Sequence, residues 1–226
     1  MSRAAFIAPA LPRLRSAPPI GENWCYEVKL DGFRAQIHRS SRNATIFGKN
    51  GGNLTRRFPT IATEILALRT KSCILDGELI AAGAHGEPDF LALLHGRRAP
   101  VCVYAFDLIE LRGRNIRDQP LYLRRAQLAA LLARSRTDLI RFSESFPDAN
   151  ELLAECARRG LEGIVCKRKD STYRSGSRSG WIKVKTERWK AANRWRGEFF
   201  EKPTRSEGIK VPRRLGQRGN KSEVEP

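Results

Sequence analysis

The sequence predicts an α+β domain built on antiparallel sheets, and two patterns support this. Strand-like runs follow one another closely in the first part of the chain, without the helices that a regular alternation of parallel strands requires. Helical periodicity appears in separate segments between other runs. With 226 residues and 41% hydrophobic content, the chain can bury a substantial core in one domain or in two small ones.

Seven short runs have the composition and the flanking turn signals of β-strands. In the first run, period-two alternation places Tyr26 and Val28 on one face and Glu27 and Lys29 on the other. The seven runs are WCYEVKL, FRAQIHRS, ATIFGK, CILDGELIAA, VCVYAFDLIEL, GIVCKR and GWIKVKT.

Three further segments have apolar residues at helical spacing or clear helix-end signals. In the third of them, Asp148 predicts an N-cap, Glu151 completes a capping box and Gly160 predicts the helix end. The three segments are PTIATEILALR, LYLRRAQLAALLAR and PDANELLAECARRGLEG.

The chain is expected to divide into four segments. Residues 1–20 contain four prolines, which disfavour a helix, so an extended arm is expected there. Residues 21–186 form the expected folded domain, with a mobile basic loop at 173–180. Residues 187–202, ERWKAANRWRGEFFEK, are expected to form a further helix. Residues 203–226 are polar, basic and rich in Gly and Pro, which predicts a disordered tail.

The formal net charge of +18 favours a polyanionic partner, and nucleic acid is the first candidate. The charge is uneven, because 18 Lys or Arg stand against 7 Asp or Glu from Lys167 to Pro226, which is +11 of the total. Such clustering is typical of a polyanion-binding surface or a basic tail. The alternative is a generally basic protein that stays in solution by self-repulsion.

Cysteine and histidine usage argues against a zinc site. The five cysteines are scattered, odd in number and without a CxxC pair, so they are expected to be small buried hydrophobic residues in a reducing compartment. The three histidines do not have metal-ligand spacing with the cysteines, which makes zinc unexpected. No apolar run approaches membrane-spanning length, so no membrane contact is expected.

The stretch YEVKLDGFR, residues 26–34, places a lysine between two acids. Taken alone, it is typical of a surface ion pair between Glu27 and Lys29 beside a hairpin, with the turn at Asp31-Gly32. The same dipeptide recurs in LDGELIAA, where Asp76-Gly77 also predicts a turn.

Two later stretches add charged residues to apolar strands. In WIKVK, Lys183 and Lys185 share one strand face, which is typical of a solvated edge strand. In LEGIVCKR, Glu162 precedes an apolar strand. Each pattern alone is weak, and their order along the chain carries the information. The ordered set is KxDGxR, DGEL, the aromatic residue of FDL, EGIVxKR and KxK.

In this order the motifs resemble those of the covalent nucleotidyltransferases, which include ATP-dependent DNA ligases, RNA ligases and mRNA capping enzymes. The resemblance is strongest to the ligase module of bacterial non-homologous end-joining ligases and covers residues 6–186. It implies an α+β, ATP-grasp-like nucleotidyltransferase domain with two antiparallel sheets flanked by helices. The segments that carry it are YEVKLDGFRAQIH, GKNGGNLTRRFP, LDGELIAAGAHGEPDFLALL, VYAFDLIELRGRNIRDQPLYLRR and GLEGIVCKRKDSTYRSGSRSGWIKVK.

The resemblance implies that Lys29 attacks the α-phosphate of ATP and forms a lysyl-AMP phosphoramidate. A lysine amine must lose its proton to act as a nucleophile, and nearby cations are expected to favour that loss by like-charge repulsion. Mg²⁺ or Mn²⁺ is expected, with Glu162 and Glu78 as metal ligands. The expected nucleotide contacts are Glu27 and Phe106 on adenine, Arg34 and Glu78 on the ribose side or a phosphate, and Lys183 and Lys185 on the α-phosphate.

The resemblance further implies an ATP-dependent DNA ligase acting on nicked or broken DNA, a monomer in the bacterial cytoplasm at the nucleoid. Lys49 lies in GKNG, where close relatives have Ser-Arg-Asn-Gly, so it keeps the charge of the arginine but loses its bidentate geometry. The expected nucleic-acid contacts are Lys49, Arg168, Arg174 and Arg178.

Ligases of this family follow the KxK motif with an OB-fold domain. Residues 187–226 show no strand alternation, so no OB-fold domain is expected within them. Three interpretations follow: a minimal ligase whose basic tail replaces that domain, a protein that needs an OB-fold-containing or end-joining partner, or a degraded relative. An RNA ligase, a capping-type nucleotidyltransferase and a non-catalytic basic nucleic-acid-binding remnant are the functional alternatives.

Overall fold

The computed structural model describes residues 5–83, 88–96, 99–135 and 137–194. The chain divides into two compact units, Met1–Ala192 and Asn193–Pro226, and the helices and strands described below belong to the first. In chain order they are β1 (Arg13–Leu14), β2 (Trp24–Lys29), β3 (Phe33–Arg39), β4 (Ala44–Gly48), α1 (Pro59–Ala67), β5 (Cys73–Ala81), α2 (Phe90–His95), β6 (Val101–Leu111), β7 (Arg114–Asn115), α3 (Leu121–Ala133), β8 (Ile140–Phe142), α4 (Ala149–Arg158), β9 (Gly163–Arg168), β10 (Trp181–Lys185) and α5 (Glu187–Ala192).

One sheet has four strands in the order β1-β10-β9-β2. Its three longer strands are antiparallel, and β1 pairs in parallel with β10. One face packs on α4 through an apolar cluster that includes Tyr26, Leu152, Ile164 and Val184. Since side chains alternate along a strand, the other face of β2, β9 and β10 carries the intervening residues.

The second sheet has the order β4-β3-β5-β6-β7, and β8 pairs in parallel with β6. Its core includes Ile37, Leu75 and Val103 from the strands together with Ile65 of α1 and Leu128 of α3. The remaining pairs along the sheet order are antiparallel.

Helix α3 is also tied to this sheet by an ion pair without solvent contact. The Arg124 guanidinium donates to both carboxylate oxygens of Asp107 on β6, at 2.8 and 2.9 Å, and both side chains are 0% exposed. The same guanidinium donates to the carbonyl oxygens of Gln119 and Ser171. The pair therefore links α3, β6 and the connection before β10.

The seven predicted strands and three predicted helices are all present. Asp148 caps α4 through bonds from the amides of Asn150 and Glu151, and Gly160 follows the helix with a φ of +70°. The first part of the predicted helix 187–202 is α5, while residues 195–202 and the predicted tail 203–226 lie outside the described residues. Four elements are too short for a periodic pattern to predict, namely β1, β7, β8 and α2.

The structure contradicts both predictions made for the Asp-Gly dipeptides. Strands β2 and β3 do not form a hairpin around Asp31-Gly32, because they lie in different sheets. Asp76-Gly77 lies inside β5 and not in a turn. A Cβ atom at Gly77 would lie 2.7 Å from the carbonyl oxygen of Tyr104, so glycine is needed at this position for close strand approach.

The basic loop at 173–180 differs from the expected mobile loop, because the N-terminal arm holds it. The amide of Leu11 donates to the carbonyl of Gly176, and the amide of Gly176 donates to the carbonyl of Pro9. The hydroxyl of Ser179 donates to the carbonyl of Leu11 at 3.0 Å. These bonds keep the described part of the arm extended along the loop.

The five cysteines are buried and unbridged, which confirms their predicted packing role. Among the residues that the structure describes, no helix has the length and apolar character needed to cross a bilayer.

Candidate active site

The site lies on the face of β2, β9 and β10 that is turned away from α4. Antiparallel pairing places Lys29 and Lys185 on either side of Gly163, and Glu27 opposite Val165. The alternation that buries Tyr26 therefore also directs Glu27 and Lys29 to the site.

Only glycine fits at position 163, between the two lysines. Its φ is +148°, and a Cβ atom there would lie 2.0 Å from the carbonyl oxygen of Val184. Because glycine has no side chain, Gly163 leaves the space between Lys29 and Lys185 to the carboxylate of Glu162.

Glu162 joins the two lysines. Its carboxylate lies 2.7 Å from the Lys29 ammonium and 3.0 Å from that of Lys185, and the Glu162 side chain is only 4% exposed. The amide of Thr186 donates to the Glu162 carbonyl at 2.9 Å, which fixes the backbone at this point. The buried carboxylate thus holds two amines at one end of the cleft.

Lys183 adds positive charge to this end of the cleft. Burial lowers the pKa of Lys183, and the ammonium groups of Lys29 and Lys185 lower it further. Lys49, from the turn after β4 in the other sheet, also contributes to this lowering. Four lysines from two sheets therefore converge, an arrangement suited to a polyphosphate.

Glu27 does not form the surface ion pair with Lys29 that the sequence suggested. Its buried carboxylate lies 2.7 Å from the Arg125 guanidinium and 2.7 Å from the Lys167 ammonium. The hydroxyl of Ser143 also donates to it, at 2.8 Å. Burial and three polar partners replace solvent, so Glu27 is fixed within the site.

Sequence reasoning missed Lys167, although a signal was present. Lys167 lies two residues after Val165 on β9, so it is on the same face of the sheet as Val165 and Glu27 of β2. Its ammonium lies 4.3 Å from the ring centroid of Phe106 and 4.4 Å from that of Trp181. Burial lowers the pKa of Lys167, and the Glu27 carboxylate opposes that effect. Arg125 and Ser143 were also missed, since only the tertiary fold brings them to Glu27.

Arg34 reaches the site from the second sheet. It donates to both oxygens of the buried Asp76 at 2.6 Å, and its guanidinium lies 4.7 Å from the Phe106 ring centroid. Tyr173 donates to Asp76 at 2.6 Å as well. Because Asp76 fixes Arg34, the guanidinium is held at the cleft wall, where it and the Lys167 ammonium both lie close to the Phe106 ring.

Glu78 is the second carboxylate at the Lys29 end of the cleft. Burial raises the pKa of Glu78 to about 7, with Glu162 adding to the rise and the cations Lys29 and Arg34 opposing it. Within the described ranges, no group of three or more His, Cys, Asp or Glu side chains could hold a metal by itself. Any metal would need ligands from a substrate in addition to carboxylates.

The predicted nucleotide-contact residues are thus brought together from two sheets. A cavity of about 70 Å³ is lined by residues that include Glu27, Lys29, Arg34, Glu78 and Phe106. Lys183, Lys185 and Glu162 lie at its Lys29 end through the charge interactions described above.

The predicted nucleic-acid contacts are not gathered in one place. Arg168 ends β9, five residues along the strand from Gly163, and pairs with Asp170 at 2.6 Å. Arg174 and Arg178 are exposed on the loop before β10. Lys49 is the predicted contact that contributes to the lowered pKa of Lys183.

The sequence and fold are similar to those of DNA ligases. The family model of the ATP dependent DNA ligase domain matches residues 14–185. The multifunctional non-homologous end joining protein LigD of Pseudomonas aeruginosa is 39% identical over 185 residues, which cover 80% of this chain and 22% of the relative. A probable DNA ligase of Streptomyces coelicolor is 34% identical over 198 residues, covering 80% of this chain and 37% of the relative.

A solved structure supports the predicted fold. The ligase domain of LigD from M. tuberculosis superposes with a TM-score of 0.67 and 26% identity, covering 78% of this chain and 60% of that domain. The two-sheet α+β architecture expected of a nucleotidyltransferase domain is therefore confirmed. The chain spans 22% and 37% of the lengths of the two curated relatives, so only part of each is represented.

Proposed function

This chain belongs to the ATP dependent DNA ligase domain family, and from that premise we propose that it is adenylated on Lys29 and transfers AMP to a DNA 5′-phosphate to seal nicks. The observation that carries the proposal is the ion-pair bridge at the cleft end. There the Lys29 ammonium lies 2.7 Å from Glu162, and Lys185 lies 3.0 Å from the same carboxylate. A lysine nucleophile is thus positioned beside cations that suit a triphosphate.

In the first step, the Nζ atom of Lys29 attacks the α-phosphorus of ATP. A nitrogen–phosphorus bond forms, the bond to the bridging oxygen breaks, pyrophosphate leaves and the amine proton is lost. The incoming phosphates would draw Lys185 and Lys183 away from Glu162 by offering them anionic oxygens.

The adenosine would bind along the cleft wall. Phe106 lines the cavity and offers a ring face for adenine, while Glu27 lines it from the adjoining strand. Arg34 and Glu78 line the side formed by the second sheet, where they would contact the ribose or a phosphate. These roles agree with the resemblance to the nucleotidyltransferases.

A divalent metal fits this site only with help from the nucleotide. Glu78 and Glu162 interact electrostatically and are the carboxylates beside Lys29. One or two carboxylates plus phosphate oxygens are the usual ligand set of Mg²⁺ with a nucleotide, and Mn²⁺ accepts the same donors. When bound, the metal would offset the charge that develops on the phosphates.

In the later steps, a DNA 5′-phosphate oxygen attacks the phosphorus of lysyl-AMP and Lys29 leaves as the amine. The 3′-hydroxyl then attacks the activated 5′-phosphate, which forms the phosphodiester and releases AMP. Lys49, Arg168, Arg174 and Arg178 are the proposed phosphate contacts. Nicked or broken DNA is the proposed substrate, and an OB-fold-containing or end-joining protein is the proposed partner.

Self-adenylation tests the proposal directly. The protein is treated with pyrophosphate to remove bound AMP, freed of pyrophosphate, and incubated with Mg²⁺ and ATP labelled at the α-phosphate. A denaturing gel should show label on the wild type and none on Lys29→Ala. Lys169→Ala, which removes an exposed lysine away from the cleft, should be labelled like the wild type.

A nick-sealing assay on the labelled protein then tests the substrate. Ligation of nicked DNA in preference to nicked RNA is expected. Equal labelling of the wild type and Lys29→Ala would refute the proposed nucleophile, and preferential sealing of RNA would replace DNA ligase with RNA ligase.

A further inference from the structure

A second concave surface lies at the end of the six-stranded sheet away from Lys29. It encloses about 1490 Å³ between the β3–β4 connection, the α1–β5 connection and the β6–β7 turn. We name it the distal basic concavity, after the cations that line it: Arg39, Arg42, Arg69, Lys71 and Arg112.

Among the described residues, the cations that line this concavity outnumber the carboxylates. Glu110 is the one carboxylate among its lining residues, against five cations. Within the described part of the chain, none of the five forms an ion pair within 4.0 Å. Other exposed arginines do find partners, as Arg158 and Arg168 show with Glu155 and Asp170. Other cations in the described ranges, such as Arg134 and Arg178, also form no ion pair within 4.0 Å. This surface differs from their surroundings in placing five such cations around one concavity with a single carboxylate.

Arg112 has an unusual backbone conformation. It is the one non-glycine residue with positive φ among those described, at +53°, in the tight turn that leads to β7. Gly, Asn or Asp normally occupies such a position, and other residues are strained there by about 1 kcal/mol or more. The turn is held by the Arg112 amide, which donates to the carbonyl of Ser72 at 2.9 Å. The sequence thus has an arginine where the turn alone favours another residue.

Size and lining indicate a macromolecular polyanion. A volume of about 1490 Å³ exceeds the roughly 300–1,000 Å³ of small-molecule pockets. Hydroxyl and amide side chains lie between the cations, and these groups commonly contact phosphodiester oxygens. They belong to Ser40, Ser41, Asn43, Thr70 and Ser72.

We infer that the distal basic concavity binds the phosphate backbone of duplex DNA. The identification of DNA rests on the proposed function. Arg34, at the cleft, and His38, at the concavity, are four residues apart on the same face of β3. At about 3.3 Å per residue they are separated by about 13 Å. This distance corresponds to about four base-pair steps along duplex DNA.

Salt dependence of DNA binding tests the inference. Affinity of the full chain for a labelled nicked duplex of about 25 base pairs is measured by fluorescence anisotropy over a series of salt concentrations. The triple variant Arg42→Ala, Arg69→Ala, Lys71→Ala removes three exposed cations. Its slope of log K against log salt should be shallower than that of the wild type by about 3, since each phosphate contact contributes about 0.9.

A matched variant separates a local contact from a general loss of charge. The triple variant Arg134→Ala, Arg158→Ala, Arg159→Ala removes the same charge from other exposed positions and should change the slope by less than about 1. The single variant Arg42→Ala should reduce the slope by about 1, and thermal melting verifies that each variant is folded.

Equal slopes for the two triple variants would overturn the inference. A second result would also overturn it: the wild type binds a polyglutamate peptide as tightly as DNA, and the first triple variant loses that binding. This result would assign the surface to an acidic protein partner. Self-adenylation is measured on the same samples and should be unchanged by the first triple variant. If the wild type shows no self-adenylation, the proposed function is refuted. The salt slopes of the two triple variants would still show whether this surface binds DNA.

Discussion

The ammonium of Lys29 lies 2.7 Å from the carboxylate of Glu162, although the two residues are 133 positions apart in the chain. Pairing of β2 with β9 creates this contact, because it places Lys29 directly beside Gly163. The same carboxylate holds Lys185 at 3.0 Å. Glu162 therefore determines where the proposed nucleophile stands relative to its neighbouring cations.

Removing that carboxylate should impair the first chemical step. In Glu162→Gln, Lys29 and Lys185 lose their shared anion and repel each other, so the proposed nucleophile is misplaced. We expect self-adenylation to slow by about 10²-fold, the effect of misplacing a reacting group by about 1 Å. Initial rates of label incorporation measure this, with Glu155→Gln, a change on the surface of α4, as the control. An unchanged rate in Glu162→Gln would show that the bridge does not position Lys29.

Stability should fall with rising pH because of Glu78. Burial raises the pKa of Glu78 from 4.5 to about 7, so the folded protein holds this proton more tightly than the unfolded chain. The stabilisation by the protonated form is complete below about pH 4.5 and lost as pH rises through about 7. Glu78→Gln has no proton to lose at this position. Between about pH 4.5 and pH 7, the free energy of unfolding of this variant relative to the wild type should therefore increase by up to about 3 kcal/mol.

Urea unfolding in EDTA at about pH 5 and pH 8 measures this difference. Glu144→Gln, at an exposed position, should show no such change between the two pH values. The assignment fails if Glu78→Gln and the wild type keep a constant stability difference over the whole range.

The buried pair of Arg124 and Asp107 should respond differently to single and double substitution. Both side chains are 0% exposed, so Arg124→Met leaves an unpaired buried carboxylate and should reduce the free energy of unfolding by about 3–5 kcal/mol. Adding Asp107→Leu removes the orphaned charge and should recover at least about 1 kcal/mol. Urea unfolding of both variants provides the values, and a double variant no more stable than the single one would contradict this account.

Alanine at Gly163 should disrupt the site through its backbone. Its Cβ atom would lie 2.0 Å from the carbonyl oxygen of Val184, so β9 and β10 must separate locally. We expect a stability loss of more than about 3 kcal/mol and loss of self-adenylation. Gly96→Ala is the matched control, because Gly96 also has positive φ but no atom within 4 Å of the added Cβ. Its expected cost is about 1–2 kcal/mol, with labelling retained. Similar losses in both variants would argue against the steric explanation.

The sequence by itself determined the elements and the set of motifs. Period-two alternation in WCYEVKL and GWIKVKT correctly separated core-facing from site-facing residues, since a strand fixes that alternation locally. Asp148 and Gly160 correctly marked the ends of α4, because caps act within one helical turn. The order of the motifs indicated the nucleotidyltransferase fold, and the family match confirms it.

Only the tertiary structure decided how these residues are paired. The sequence suggested that Glu27 pairs with Lys29, two positions away, but Glu27 pairs with Arg125 and Lys167 while Lys29 pairs with Glu162. The chain passes from one sheet to the other between β2 and β3, where a hairpin was expected. The physical reason is range: alternation and capping depend on neighbours along the chain, whereas ion-pair partners depend on strand pairing between distant segments.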